Sequence, residues 1–152
     1  MDTPDISVVI PVKNGEKYLS GVLKGIFSQG TSHKVEVIII DSGSSDKTLD
    51  IVSGYPVKLW QIKEGEFNHG LTRNLGISKS KGRYIILMTA DAVPYDNYWI
   101  RNLVGDLEND SVVAGVYSRQ IPHKNSTFLT QMRVNRFFTS STEKRVSQIE
   151  QS

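Results

Sequence analysis

The chain lacks cysteine altogether, and none of its apolar runs is long enough to span a bilayer. Without cysteine, disulfide bonds and thiolate zinc sites are excluded. A membrane-spanning helix needs about 20 consecutive apolar residues, so we expect no such helix. The amino terminus carries Asp2 and Asp5 and then enters an apolar run, which is not typical of a secretory signal. The sequence therefore predicts a cytoplasmic globular protein.

Several nucleotide-binding and hydrolase motifs are also missing. The sequence contains no G-x-G-x-x-G, no G-x-x-x-x-G-K-[ST] and no G-x-S-x-G. These absences disfavour a dinucleotide-binding domain, a P-loop protein and an α/β-hydrolase. The basic residues are not regularly interleaved with aromatic ones, so nucleic-acid binding is not expected.

Charge is distributed unevenly along the chain. Residues 1–118 carry a net charge of −2, whereas residues 119–152 carry +4. A basic segment is most simply a solvated helix face, but it also suits anionic lipid or a phosphorylated substrate. Peripheral association with the inner face of the cell membrane therefore stays open at this point, and so does the oligomeric state.

Short apolar runs alternate with helical patterns. The predicted strands are residues 6–10, 35–40, 57–62, 83–88 and 112–117, and the predicted helices are residues 18–27, 46–54 and 70–80, a segment after Pro94 and a weaker one around Phe128. Strands that are almost continuously Val and Ile are typical of parallel sheets covered on both faces. We therefore predict an α/β fold, a mostly parallel sheet with helices on both faces.

Polar residues follow three of the predicted strands, in residues 11–15, 41–46 and 89–91. Ligands of open α/β sheets bind outside the carboxyl ends of the strands, so we expect Asp41 and Asp91 to face one crevice. Each segment also has a simpler interpretation. Residues 41–46 are compatible with a loop and helix cap, Asp46 with a first-turn helix residue, and Asp91 with a cap for the helix after Pro94.

Four segments, taken together and in order, identify a family resemblance. They are SVVIPVKNGE at 7–16, IIIDSGSSDKT at 38–48, FNHGLTRNLG at 67–76 and LMTADAVP at 87–94. The set resembles glycosyltransferase family 2, an inverting family with the GT-A fold, and its rhamnosyltransferase-like branch in particular. The resemblance covers about residues 5–122. It implies that residues 1–122 are a nucleotide-sugar-binding half and that residues 123–152 are a basic, partly helical tail leading toward an acceptor-binding half.

The resemblance also implies roles for individual residues. Asp41 would accept the imide N–H of uracil or thymine, which selects a UDP- or dTDP-sugar. Asp91 would bind the Mg²⁺ or Mn²⁺ ion that bridges the diphosphate, and Arg73 would lie near the base or the diphosphate. The complete implied donor-binding set is Pro11, Val12, Lys13, Asn14, Asp41, Ser44, Asp46, His69, Arg73, Ala90 and Asp91.

Two features depart from the family pattern. The metal motif is often Asp-x-Asp, but here it reads Thr89-Ala90-Asp91. An inverting transferase also needs a general base to deprotonate the acceptor hydroxyl. Downstream of Gln120 the only carboxylates are Glu143 and Glu150, neither in the family's acidic motif, so we expect the base beyond Ser152.

These departures leave an alternative open. The chain is predicted to be the donor-binding part of a transferase that uses a saccharide or lipid-linked acceptor in surface polysaccharide assembly, with little turnover of its own. A non-catalytic nucleotide-sugar-binding module is the alternative. A sugar-nucleotide pyrophosphorylase is disfavoured, because the Lys13-Asn14-Gly15 segment is too sparse for the Gly-rich basic loop of that class.

Overall fold

A computed structural model describes residues 3–138, and their centre is a four-stranded parallel sheet. The strands lie in the order β3-β2-β1-β4. Their bounds are β1, Ile6–Val12; β2, Val35–Asp41; β3, Lys58–Gln61; and β4, Tyr84–Leu87. The two central strands, β1 and β2, supply much of the buried core, which explains their nearly unbroken run of Val and Ile.

Five α-helices accompany the strands in this part of the chain. They are α1, Leu19–Phe27; α2, Thr48–Ser53; α3, His69–Lys79; α4, Trp99–Asn109; and α5, Phe128–Phe137. A short 3-10 helix, Glu64–Glu66, precedes α3. None of the helices in residues 3–138 is long and apolar enough to cross a membrane. The predicted α/β fold with a parallel sheet is confirmed.

Helix α3 lies close against β1 because Gly76 has no side chain. A Cβ atom at Gly76 would overlap Val9 Cγ1 and lie 3.4 Å from Val9 Cβ. Leu75 on the same helix packs on the cluster formed by Val9, Ile38 and Ile40. The position of α3, and of the residues at its amino end, therefore depends on this glycine contact.

A partly buried carboxylate, that of Glu36, joins the strands near their amino ends. Glu36 accepts hydrogen bonds from the Ser7 hydroxyl at 2.6 Å, from the Lys58 ammonium and from the backbone N–H of Lys81 at 2.7 Å. Burial opposes ionisation of Glu36, but these hydrogen bonds outweigh it and hold the pKa of the carboxyl below its ordinary value. Glu36 thus ties β1, β2, β3 and the turn before β4 together.

The prediction of a fifth strand at 112–117 is wrong. These residues form no strand, and Val112 and Tyr117 are 70% and 81% exposed. Strand formation requires a partner for the backbone hydrogen bonds, and an apolar pattern alone does not supply one. The chain divides into two compact units, Met1–Arg101 and Asn102–Ser152, and the four strands belong to the first. The division at residue 122 stays a prediction.

Candidate functional site

The carboxyl ends of β1 and β2 lie side by side. Val12 is paired with Asp41 in the strand register, and the next residue, Ser42, donates its backbone N–H to Val12 O at 3.0 Å. The loops that follow the two strands therefore start from neighbouring positions. This is the edge where open parallel sheets bind their ligands.

The two loops are joined by reciprocal hydrogen bonds at Asn14. Its backbone N–H donates to Ser44 Oγ at 2.8 Å, and its side-chain Oδ1 accepts from the N–H of Ser45 at 2.9 Å. Asn14 has a φ of 51°, a left-handed conformation that asparagine adopts more readily than most residues. Asn14 and Ser44 therefore fix the shape of this edge.

Asp46 makes a second connection between the same loops. Its Oδ2 atom accepts the backbone N–H of Glu16 at 3.0 Å, and its Oδ1 atom accepts the backbone N–H of Thr48 at 3.0 Å as well as the Thr48 hydroxyl. The hydroxyl bond is the main reason that the pKa of Asp46 lies below its ordinary value. The structure thus gives Ser44 and Asp46 a loop-fixing role, while their contact with a donor stays a prediction.

Asp41 is buried beneath the loop that it begins. Its carboxylate accepts the backbone N–H groups of Gly43 and Ser44, each at 3.2 Å, and Gly43 takes a φ of 83° to complete the turn. The residue is 0% exposed. A carboxylate has about four acceptor positions, so Asp41 retains acceptor capacity, but a ligand reaches it only if the turn over it opens.

The amino end of α3 brings Arg73 and His69 to the same edge. Asn68 caps the helix by accepting the N–H groups of Gly70 and Leu71, at 3.0 and 3.1 Å. Arg73 donates from Nη1 to the carbonyl of His69 at 3.0 Å, which holds its guanidinium at the helix terminus. The His69 ring meets the Phe67 ring edge-on, with 5.0 Å between centroids.

A cavity of about 140 Å³ opens between these elements. Its lining residues are Pro11, Val12, Lys13, Ser42, Phe67, His69, Arg73, Met88 and Thr89. Small-molecule pockets are typically about 300–1,000 Å³, so this cavity is large enough for one ring or one phosphate group and not for a whole nucleotide-sugar. Lys13 also forms an ion pair with Glu64, and this contact lowers the pKa of the Glu64 carboxyl.

The cavity contains five of the predicted donor-binding residues: Pro11, Val12, Lys13, His69 and Arg73. It also contains four that the sequence interpretation missed: Ser42, Phe67, Met88 and Thr89. Ser42 and Thr89 each adjoin a predicted site residue, Met88 lies two residues before Ala90, and Phe67 directly precedes the helix cap. Each of the four was therefore close to a predicted residue or to a recognisable helix start. The direction in which each side chain points could not be predicted from the sequence.

Ala90 and Asp91 lie outside the lining of this cavity, in the segment that follows β4. A Cβ atom on Gly15 would lie 3.8 Å from Ala90 Cβ, so this segment passes the loop that follows β1. Asp91 is exposed. Within residues 3–138 no three His, Asp or Glu residues cluster as metal ligands would. A cation here would take one carboxylate from the protein and its other oxygen ligands from a bound ligand and water, as Mg²⁺ usually does.

Fold and site together define an open parallel α/β protein with a cationic cavity at the carboxyl edge of its sheet. The family model described as Glycosyl transferase family 2 matches residues 7–151. The chain therefore belongs to glycosyl transferase family 2, and its sheet is that of the GT-A fold.

Two curated relatives are both O-antigen chain rhamnosyltransferases. RfbN of Salmonella typhimurium is 37% identical over 80% of this chain and 38% of its own length. WbaN of Salmonella anatum is 32% identical over 81% of this chain and 39% of its own length. The chain thus spans about two fifths of the length of these relatives.

Solved structures share the same fold. TarS 1–349 from S. aureus superimposes with a TM-score of 0.64 at 23% identity, covering 78% of this chain and 38% of that one. The mannosyltransferase PcManGT from Pyrobaculum calidifontis, solved with GDP-Man and Mn²⁺, superimposes with a TM-score of 0.63 at 25% identity, covering 74% and 34%. TarS has also been solved in complex with UDP.

Proposed function

We propose that this chain is the donor-binding part of an inverting glycosyltransferase, which transfers a sugar from a UDP- or dTDP-sugar to a saccharide or lipid-linked acceptor. The observation that carries the proposal is the cavity in which Lys13, His69 and Arg73 converge at the carboxyl edge of a GT-A sheet. The two rhamnosyltransferase relatives support rhamnose or another hexose as the sugar, and surface polysaccharide as the product.

The diphosphate is assigned to the side of the cavity formed by α3. Arg73 is held by its bond to the His69 carbonyl, and a guanidinium offers five N–H donors, so others remain for phosphate oxygens. Lys13 adds a second positive charge once it exchanges Glu64 for a phosphate. His69 lies at the amino end of the helix, where the helix dipole favours an anion.

The base is assigned to the side formed by Pro11, Val12 and Ser42. Asp41 lies directly before Ser42, and its remaining acceptor capacity suits the imide N–H of uracil or thymine. Cytosine lacks this donor, so the same carboxylate would reject a cytidine nucleotide. Binding requires the turn at Gly43 and Ser44 to open enough for the base to reach the carboxylate.

The metal, Mg²⁺ or Mn²⁺, is assigned to Asp91. A single carboxylate fits an ion that arrives with the diphosphate, since such ions commonly keep phosphate and water ligands. When bound, the ion stabilises negative charge on the leaving nucleoside diphosphate. Because residues 3–138 contain no group of three or more His, Asp or Glu residues that could hold a metal ion, we expect metal binding to depend strongly on the nucleotide.

The test of the base assignment is the preference for UDP over CDP, measured by calorimetry in the presence of Mn²⁺. The chain should bind UDP more tightly, and Asp41→Asn should reduce that preference by about tenfold or more, because a hydrogen bond to a charged group contributes about 1.5–3 kcal/mol. The ratio of UDP affinity to CDP affinity separates base recognition from damage to the loop, because a damaged loop should weaken the binding of both nucleotides equally. Asp50→Asn, on α2, is the control for removing one negative charge. An unchanged ratio in Asp41→Asn would contradict the assignment.

The carboxyl-terminal unit supports a further part of this proposal, peripheral binding to an anionic membrane. Residues 111–138 contain no Asp or Glu. Four basic residues in this stretch are exposed, and so are six apolar ones that are interspersed with them along the chain: Arg119, Lys124, Arg133 and Arg136, with Tyr117, Ile121, Phe128, Leu129, Met132 and Phe137. Basic groups beside aromatic and aliphatic ones are typical of helices that lie in a membrane interface.

Vesicle sedimentation tests this part independently. The chain should co-sediment with vesicles containing phosphatidylserine and not with pure phosphatidylcholine, and the binding should weaken as salt is added. Replacing Arg133 and Arg136 with Gln should reduce it, whereas Arg83→Gln, in the other unit, should not. Equal binding to both vesicle types would show that charge plays no part.

A further inference from the structure

The segment that follows β4 runs along the whole of α1. Ala90 lies beside Gly15, Val93 Cγ2 lies 3.6 Å from the position of a Cβ atom on Gly21, and Pro94 lies against Gly25. At the far end of the helix, the N–H of Gly30 donates to the carbonyl of Asn97 at 2.7 Å. We call residues 90–98 the strap.

The strap approaches α1 most closely at Gly25. A Cβ atom there would lie 2.9 Å from Pro94 Cδ and 3.1 Å from Pro94 Cγ, distances at which one of the two groups must move. At Gly21, one helical turn earlier, the nearest atom is at an ordinary contact distance of 3.6 Å. Gly25 therefore sets how close Pro94 comes to the helix, and Gly21 does not.

Gln29 fixes the other end of the strap with one side chain. Its Nε2 atom donates to the carbonyl of Gly25 at 2.9 Å and to the carbonyl of Asp96 at 2.7 Å, and its Oε1 atom accepts the N–H of Ile100 at 3.0 Å. Both N–H donors of the amide and its carbonyl oxygen are thus engaged. The side chain joins α1, the strap and the first turn of α4.

Asp91 lies between these anchored points. Ala90 is beside Gly15 on one side of it, and Pro94 is against Gly25 on the other. We propose that Gly25 and Gln29 are positioning residues for Asp91, acting through the strap to hold its carboxylate where a nucleotide-bound cation meets it. This inference rests on the proposed function, since it takes Asp91 as the metal ligand.

The physical reason is that one carboxylate alone has little tolerance for displacement. Residues that orient a metal-binding side chain commonly change the metal affinity by about 10–100-fold when they are substituted. Neither Gly25 nor Gln29 lines the cavity or carries a charge, so a change in either should leave metal-independent nucleotide binding intact. We therefore expect a loss of UDP affinity in the presence of the metal and little change in its absence.

The experiment measures UDP affinity by calorimetry in EDTA and again in saturating Mn²⁺, for the 152-residue chain and its variants. The ratio of the two affinities is the metal contribution. We expect Gly25→Ala to reduce this ratio by about tenfold with little change in EDTA, and Gly21→Ala to leave it unchanged. Asp91→Asn should abolish the metal contribution.

Gln29→Met provides a second variant that adds no bulk. It keeps the length of the side chain but removes the bonds to Asp96 and Ile100, and it should also reduce the ratio selectively. Glu36→Gln, near the amino ends of the strands, is a control for general destabilisation and should keep the ratio.

The outcomes separate the two claims. If Asp91→Asn abolishes the metal contribution while Gly25→Ala and Gln29→Met retain it, the positioning role is wrong and the metal assignment stands. If either strap variant loses affinity equally in EDTA and in Mn²⁺, its effect is structural, which also overturns the positioning role. If Asp91→Asn itself retains the metal contribution, the proposed metal ligand is wrong.

Discussion

Replacing Gly76 with alanine should loosen the contact between α3 and β1. The added methyl would overlap Val9 Cγ1 and lie 3.4 Å from both Val9 Cβ and Val9 Cγ2, whereas carbon atoms in contact are normally separated by about 3.5–4.0 Å. Val9 is fully buried in the central strand and cannot turn away into solvent. The helix or the valine must therefore shift.

The size of the effect follows from two opposing terms. Alanine is favoured over glycine inside a helix by about 1 kcal/mol, while overpacking a buried position costs about 1–3 kcal/mol. The overlap with Val9 is severe, so we expect the upper part of that range. The free energy of unfolding should fall by about 1–2 kcal/mol for Gly76→Ala.

Urea unfolding followed by circular dichroism measures this change, and Val9→Ala isolates its cause. Val9→Ala alone should destabilise the chain by about 2 kcal/mol, because two buried methyl groups are lost. In that background the severe overlap with Val9 Cγ1 is gone and only the contact with the Cβ atom at 3.4 Å remains, so the Gly76→Ala change should cost much less or be neutral. A Gly76→Ala cost that is the same with valine or alanine at position 9 would refute the steric explanation.

Other predictions follow from charged groups. Since the fold lowers the pKa of Glu36 below its ordinary value of 4.5, its carboxylate stabilises the fold above that pH and ceases to do so as the pH falls through the lowered pKa. Glu36→Gln should therefore reduce the free energy of unfolding by about 1–2 kcal/mol at pH 7 and by less in strong acid. Urea titrations that give the same reduction at both pH values would argue against this. Arg73→Met should weaken UDP binding about tenfold or more and reduce its salt dependence, and Arg73→Lys should bind UDP with an affinity between those of the unaltered chain and Arg73→Met. Equal affinity in all three proteins would show that Arg73 does not contact the nucleotide. The 152-residue chain should bind a UDP-sugar without transferring it at ordinary enzymatic rates, because the only carboxylates downstream of Gln120 are Glu143 and Glu150 and neither lies in the family's acidic motif. A coupled assay that detects rapid transfer would contradict this.

The central strands β1 and β2 and the helix α1 could be predicted because their apolar residues are buried in a regular pattern. Runs of Val and Ile marked β1 and β2, and the apolar spacing from residue 18 to residue 27 marked α1. Gly54 correctly indicated the end of α2. The run at 112–117 has the same composition as a strand, but whether a segment pairs depends on a partner that its own residues do not encode.

The site could be predicted less completely, for a geometric reason. Strand ends are visible in sequence, so the convergence of Pro11 to Lys13 with the segment after β2 was expected. The burial of Asp41 beneath its own turn was not, because it depends on the left-handed conformation at Gly43 and on two backbone hydrogen bonds. The strap along α1 was also invisible, since its contacts join glycines to residues about 70 positions away.

The most direct test of the account is an NMR titration of the chain with UDP, first with Mg²⁺ and then with Mn²⁺. If Asp41 receives the base and Asp91 the cation of one bound donor, the amide signals of Gly43 and Ser44 should shift with UDP–Mg²⁺. Paramagnetic broadening by UDP–Mn²⁺ should then be centred on Asp91. Broadening centred on another part of the chain, or unshifted Gly43 and Ser44 signals at saturating UDP, would contradict the account.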